Sequence, residues 1–229
     1  AYEISRGLVG SEMCIRDSSP AALACPHGAP SWPARKNWPN EGHILFLGTL
    51  EPRKNVGTLL KSYSSLLKQR RDTPSLVLGG NATPAATSWL KSLKHRPLLN
   101  HAKHIGYVPA HERHALYNNA KLLVLPSFDE GFGLPVLEAM TVGVPVVAAN
   151  RGALPSLLGA AGLLVDPSED TELAEAMERM LFDKDLIQKS VSLGHERARQ
   201  YTWSAAAKAS LRAYTQAIDN KKHHQPTSP

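Results

Sequence analysis

The chain has 229 residues, 42% of them hydrophobic and 20% charged, the balance of a folded globular protein long enough to bury a sizeable core. No run approaches the roughly 18 consecutive apolar residues of a membrane-spanning helix. The formal net charge of +6 is spread along the chain without basic blocks or zinc-finger spacing, which argues against nucleic acid and suits an anionic small molecule or an acidic membrane surface.

"AYEISRGLVGSEMCIRDS" (1–18) has neither helical nor strand periodicity and no apolar h-region of a signal peptide, and it is read as a non-native leader that replaces the native start. The two cysteines, Cys14 and Cys25, fall before the regular pattern begins, so the expected core carries no disulfide framework, as suits a reducing cytoplasm. Residues 19–41, rich in Pro, Ala and Trp, read as a linker.

From residue 42 short apolar runs alternate with helical periodicity. Strands are expected at 43–50, 75–80, 102–108, 121–127, 145–150 and 162–167. Helices are expected at 55–70, capped by Asn55, then 86–96, 110–120, 134–143, 170–183, 186–201 and 203–218, before a disordered tail at 219–229. Apolar strands separated by helices imply an α/β fold, a doubly wound parallel sheet with C-terminal helices. Ligands of such sheets sit beyond the carboxyl ends of the strands, so the segments leaving those ends are the candidates for a site.

Three of them carry chemistry. "GTLEPRKN" (48–55) sets Arg53 beside Lys54, a forked guanidinium and a compact ammonium suited to a diphosphate; alone, the pair reads more readily as two solvated surface charges. "EGFGLP" (130–135) places Gly131 and Gly133 before a helix with Pro135 in its first turn, so the amides of Phe132 to Leu134 would face an anion at the positive end of the dipole. Glu138, one turn in, could accept from sugar hydroxyls, and Glu130 could face a reacting sugar; alternatively Glu138 is an exposed helix residue and Glu130 simply favours the dipole. "HIGYVP" (104–109) offers backbone groups at Gly106 and Val108 to a nucleobase edge. His111 and His114 have metal-ligand spacing but no obvious third ligand, and no metal site is expected. "GFGLPV" lacks the third glycine of a dinucleotide fingerprint and does not follow the first strand, which excludes a dehydrogenase-like reading.

These segments, in this order, resemble the C-terminal, donor-binding domain of retaining glycosyltransferases of the GT-B fold, family four, with "E-GFGLPVLE" as the most specific match and "GTLEPRKN" close to a mannosyltransferase-like branch. The resemblance covers residues 42–218. It implies transfer of a mannose- or glucose-type hexose from a UDP- or GDP-sugar to a glycan or lipid-linked acceptor with retention, without metal or other cofactor. It also implies that Gly48, Arg53 and Lys54 hold the donor diphosphate, that Glu138 binds the ribose, and that Gly106 and Val108 serve the nucleotide. Glu130, as the catalytic residue, and the amides of Gly131, Phe132, Gly133 and Leu134 would contact the sugar and its phosphates. Two departures stand out: "GALPS" has Ser156 where the family has an acid, and the N-terminal acceptor-binding domain is missing. The implied setting is the cytoplasm, with peripheral contact at the inner face of a membrane. A non-catalytic nucleotide-sugar-binding module is the second reading.

Overall fold

The computed structural model describes residues 27–223; the leader reading, both cysteines and residues 224–229 lie outside the described residues. Six strands form one sheet: β1 (His43–Leu47), β2 (Ser75–Gly79), β3 (Ala102–Gly106), β4 (Ala120–Leu125), β5 (Val146–Ala149) and β6 (Leu163–Val165). Every pairing is parallel, in the order β3-β2-β1-β4-β5-β6, which is the doubly wound order of a nucleotide-binding fold. The central strands are apolar on both faces because both are covered, whereas β3, at one edge, alternates half-buried and exposed positions.

The helices are α1 (Val56–Gln69), α2 (Thr87–Ser92), α3 (Ala110–Asn118), α4 (Leu134–Val142), α5 (Leu154–Leu158), α6 (Asp170–Phe182), α7 (Lys184–Ala198) and α8 (Trp203–His223). They flank the sheet in two packed groups: α1 with α2 and α6, and α4 with α3, α5 and α7. A single continuous core runs from Ile44 through Leu122, Val146 and Leu154 to Met180. Burying an apolar side chain of this size stabilises by about 1.5 to 3 kcal/mol.

The structure departs from the sequence expectations where tertiary contacts decide. The region taken as a linker contains no helix or strand from residue 27 to 42, yet it is a docked strap: Ala29 N donates to Tyr201 O (2.6 Å), and Arg35 donates through its backbone to Val142 O and through its guanidinium to Ala120 O (2.8 Å) and Gly143 O. Arg35 thus satisfies carbonyls at the end of α4, which no residue of that helix could reach. The helix expected at 86–96 stops at Ser92 and runs on only as tight turns, with Lys94 N donating to Lys91 O and His95 N to Ser92 O (both 3.1 Å). α5 was not anticipated, being only one turn long, and α8 continues to His223, five residues into the segment expected to be a disordered tail.

Candidate active site

The loops leaving β1 and β4 come together because those strands are neighbours in the sheet. After β1, Pro52–Lys54 form one 3-10 turn that ends at Asn55 in the left-handed region (φ 55°). Phe128 N donates to Arg53 O (2.9 Å), and Arg53 Nη1 returns a bond to Asp129 O (2.8 Å), so the two loops are laced through backbone as well as side chains. Asn55 precedes α1 as expected but makes no side-chain cap; its buried Nδ2 donates to Pro126 O (3.1 Å) and Pro167 O (2.6 Å) instead, tying three strand-end segments to one amide. That role has no signature in the sequence, because both acceptors are main-chain carbonyls.

Glu130 sits at the centre of this lacing. Its Oε1 accepts from Lys54 Nζ (2.5 Å) and Ser127 Oγ (2.8 Å), and its Oε2 lies 3.7 Å from Arg53 Nη1. Glu130 and Lys54 are buried while Arg53 is 42% exposed and also bonds Glu51 (2.7 Å), so the surface-charge alternative fails for Lys54 and holds in part for Arg53. Within this cluster the cations Arg53 and Lys54 are matched by the carboxylates Glu51 and Glu130. A further anion would therefore have to compete with Glu130 for them.

The next segment supplies donors that are not matched. Gly133 has φ 93° and precedes α4, with Pro135 in the first turn as expected. A Cβ at Gly133 would meet Leu154 Cδ2 at 2.7 Å, so the unanticipated helix α5 closes the space behind the turn and requires glycine there. The amides of Gly131, Phe132, Gly133 and Leu134 find no hydrogen-bond partner among the described residues, and they stand at the positive end of the α4 dipole. The Phe132 ring turns away and packs edge-on against His27 (4.9 Å between centroids) and Tyr201 (5.9 Å), leaving only its amide to a ligand. Gly152, at φ 58°, lies so close that a Cβ would approach Glu130 O at 2.7 Å, and Ala153 N donates to that same carbonyl.

Glu138 occupies a second network. Its Oε1 accepts from Arg113 Nη1 (3.0 Å) and its Oε2 from Tyr117 Oη (2.8 Å), and the Trp32 ring of the strap lies 5.9 Å from the fully buried Tyr117 ring. Glu138 is buried, so the exposed-helix alternative does not hold. Burial raises its pKa, opposed by the hydrogen bond from Tyr117 and the charge of Arg113. Burial and the adjacent carboxylate also push the Tyr117 hydroxyl far up, so Tyr117 donates and does not ionise. Sequence reasoning missed Arg113 and Tyr117; their i, i+4 spacing on α3 was the one available signal, and it matches many solvated helix faces.

The remaining predicted positions are more peripheral. Gly48 N donates to Gly79 O (2.9 Å), and its α-carbon faces the Lys54 stem. Gly106 has φ 74° with open space where a side chain would stand, but its carbonyl already accepts from Gly80 N (2.7 Å). Val108 is buried against Gly79. Ser156, at the position where an acid was expected, bonds its own turn through Ala153 O (3.0 Å). His111 lies beside Glu112 (3.5 Å) and His114 beside Pro33 O (3.2 Å); among the described residues no group of three His, Cys, Asp or Glu is placed to hold a metal.

A family model described as "Glycosyl transferases group 1" matches residues 30–197. The O-antigen chain mannosyltransferase B of Escherichia coli is 34% identical over 174 residues, 76% of this chain and 46% of its own length. Among solved structures, the sucrose-phosphate synthase of Thermosynechococcus elongatus aligns with a TM-score of 0.68 at 29% identity, over 79% of this chain and 46% of that one. The C-terminal domain of a glycosyl transferase group 1 family protein from Francisella tularensis aligns with a TM-score of 0.65 at 25% identity, over 73% of this chain and 94% of that one. This chain spans about half the length of the curated mannosyltransferase it matches, and nearly all of a domain crystallised by itself. With a six-stranded parallel sheet, paired loops at its carboxyl edge and a match over most of its length, the chain belongs to the group 1 glycosyl transferases.

Proposed function

We propose that this chain is the donor-binding part of a hexosyltransferase that moves a mannose- or glucose-type sugar from a UDP- or GDP-sugar to a glycan or lipid-linked acceptor with retention. The observation that carries the reading is the four unbonded amides of Gly131 to Leu134 beside the buried Lys54–Glu130 pair. A diphosphate placed there would meet amide donors, the ammonium of Lys54 and the fork of Arg53. Hydrogen bonds to a charged group are worth about 1.5 to 3 kcal/mol each, so loss of one of them should weaken binding by about tenfold or more.

In the reaction the sugar–phosphate bond breaks as the diphosphate leaves, and charge grows on the leaving oxygen while the sugar becomes oxocarbenium-like. Arg53, Lys54 and the α4 amides take up that growing negative charge without moving, which is where preorganised donors contribute most. In this reading the α4 amides, with Arg53 and Lys54 drawn from their carboxylates, take the place of a metal at the diphosphate, and the proposal includes no resident cofactor. Glu130 holds Lys54 in place and presents its second oxygen towards the sugar side. Glu138, fixed by Arg113 and Tyr117, keeps lone pairs for ribose hydroxyls. Acceptor binding falls to a second domain across the cleft, at the cytoplasmic face of a membrane; among the described residues no helix is long and apolar enough to cross one.

Saturation-transfer NMR of the chain with UDP-glucose and GDP-mannose tests the reading. The expected result is saturation of ribose and anomeric protons for at least one donor, lost in Lys54→Ala. Absence of transfer to any nucleotide sugar contradicts it.

A further inference from the structure

A second cationic cleft, of about 460 Å³, lies at the opposite rim of the sheet from the candidate site. It is formed where Arg70 and Arg71 lead into β2 and where Arg96, Asn100 and His101 lead into β3, over a floor that includes Leu67. Donor loops leave the carboxyl ends of the strands; these segments enter at the amino ends. Five residues per strand put the two rims about 16 Å apart.

The cleft is a constructed feature. The fully buried Tyr63 of α1 donates its hydroxyl to Pro74 O (2.9 Å) and His101 O (2.9 Å), clamping the two loops side by side. Arg70 is matched by Asp72 (3.2 Å) and Glu178 (3.3 Å) and lies over the Phe182 ring (3.9 Å), which makes it a fixed wall. Arg71 and Arg96 are exposed and have no acidic partner among the described residues. From Thr73 to His111 the sequence holds Lys91, Lys94, Arg96 and Lys103 and no Asp or Glu, and the nearby carboxylates Asp72 and Glu178 are both engaged by Arg70.

Arg71 and Arg96, two guanidiniums without an acidic partner among the described residues, line one cleft with Asn100 and His101, and forked guanidinium donors suit a phosphate group. We propose that this cleft binds a phosphate group at a site separate from the donor site, with Arg71 and Arg96 as its charged ligands and Asn100 and His101 as further donors. The phosphate is that of a soluble ester or of a lipid headgroup, and the experiment separates the two.

The amide NMR spectrum of the chain is followed as inorganic phosphate is added. Saturable shifts at residues 96–101 are expected, weakened about tenfold or more in Arg71→Ala/Arg96→Ala while shifts at 131–134 stay as they were. Because the comparison is between variants at one rim, failure of UDP to bind would sink the donor reading and leave this one standing. Co-sedimentation with phosphatidylcholine vesicles, with and without phosphatidylglycerol, is the second arm. Binding that requires phosphatidylglycerol and is lost in the double variant assigns the site to a lipid phosphate; phosphate shifts without vesicle binding assign it to a soluble ester. No saturable shift at 96–101 and no vesicle binding, or equal responses in the double variant, would overturn the proposal.

Discussion

Lys54 and Glu130, 76 positions apart in sequence, meet at 2.5 Å with both side chains buried. A pair of this kind contributes little net stability, because desolvating two charges costs about what their attraction returns. Its consequence lies in what happens when one partner is removed. Lys54→Ala leaves Glu130 with only Ser127 and a distant Arg53, and should destabilise the chain by about 3 kcal/mol in urea denaturation. A change below about 0.5 kcal/mol would make the pair an ordinary surface contact.

The same geometry makes an unusual prediction for Glu130→Gln. The carboxylate competes with any other anion for Lys54 and, at longer range, for Arg53. Its neutral replacement frees Lys54 while Arg53 keeps Glu51, so UDP or GDP affinity should rise by about threefold to tenfold as like-charge repulsion is removed. Sugar transfer by the complete protein should fall at the same time. Weaker nucleotide binding in this variant would show that Glu130 organises the cations more than it opposes the ligand.

Gly133→Ala tests the turn before α4. The substitution must adopt φ 93° and place a methyl carbon against Leu154. A loss of about 1 to 3 kcal/mol is expected, with weaker nucleotide binding as the amides of residues 131–134 are displaced. Full stability in this variant would mean that α5 yields easily and that the turn is not fixed by it.

Glu138 gives the site a pH dependence whose sign can be worked out. Its folded pKa is raised by burial, so the folded chain holds that proton more tightly than the unfolded chain. This group's contribution to stability therefore grows as pH falls through the raised pKa. Its ability to accept from ribose hydroxyls runs the other way and is lost over the same interval. Arg113→Ala removes an effect that lowers the pKa, so the acid limb of UDP affinity should move to still higher pH, above the ordinary carboxylate range. A limb in the same place would show that Arg113 does not govern the charge of Glu138.

Much of this was legible before the structure. All six strands and most of the helices followed from apolar runs and their periods, since local pattern and sheet burial agree in a parallel α/β fold. Arg53, Lys54, Glu130 and the glycine turn stood out because residue types with sharp chemistry cluster at strand ends. What the sequence hid was mostly written in main-chain acceptors. Asn55 was expected to cap α1 and instead bonds two distant carbonyls, and Arg35, taken as part of a linker, satisfies the end of α4. Tyr117 and Arg113 carry no motif; the burial of Tyr117 and the bond of half-buried Arg113 to Glu138 set them apart from residues of an exposed helix.

Calorimetric titration of UDP and of GDP into the chain, compared with Lys54→Ala and Arg53→Ala, decides whether these loops hold a donor nucleotide. One-to-one binding of at least one of the two is expected, weakened about tenfold or more by Lys54→Ala, less by the half-exposed Arg53→Ala, and strengthened at low salt. No binding of either nucleotide, or binding that both substitutions leave unchanged, would contradict it.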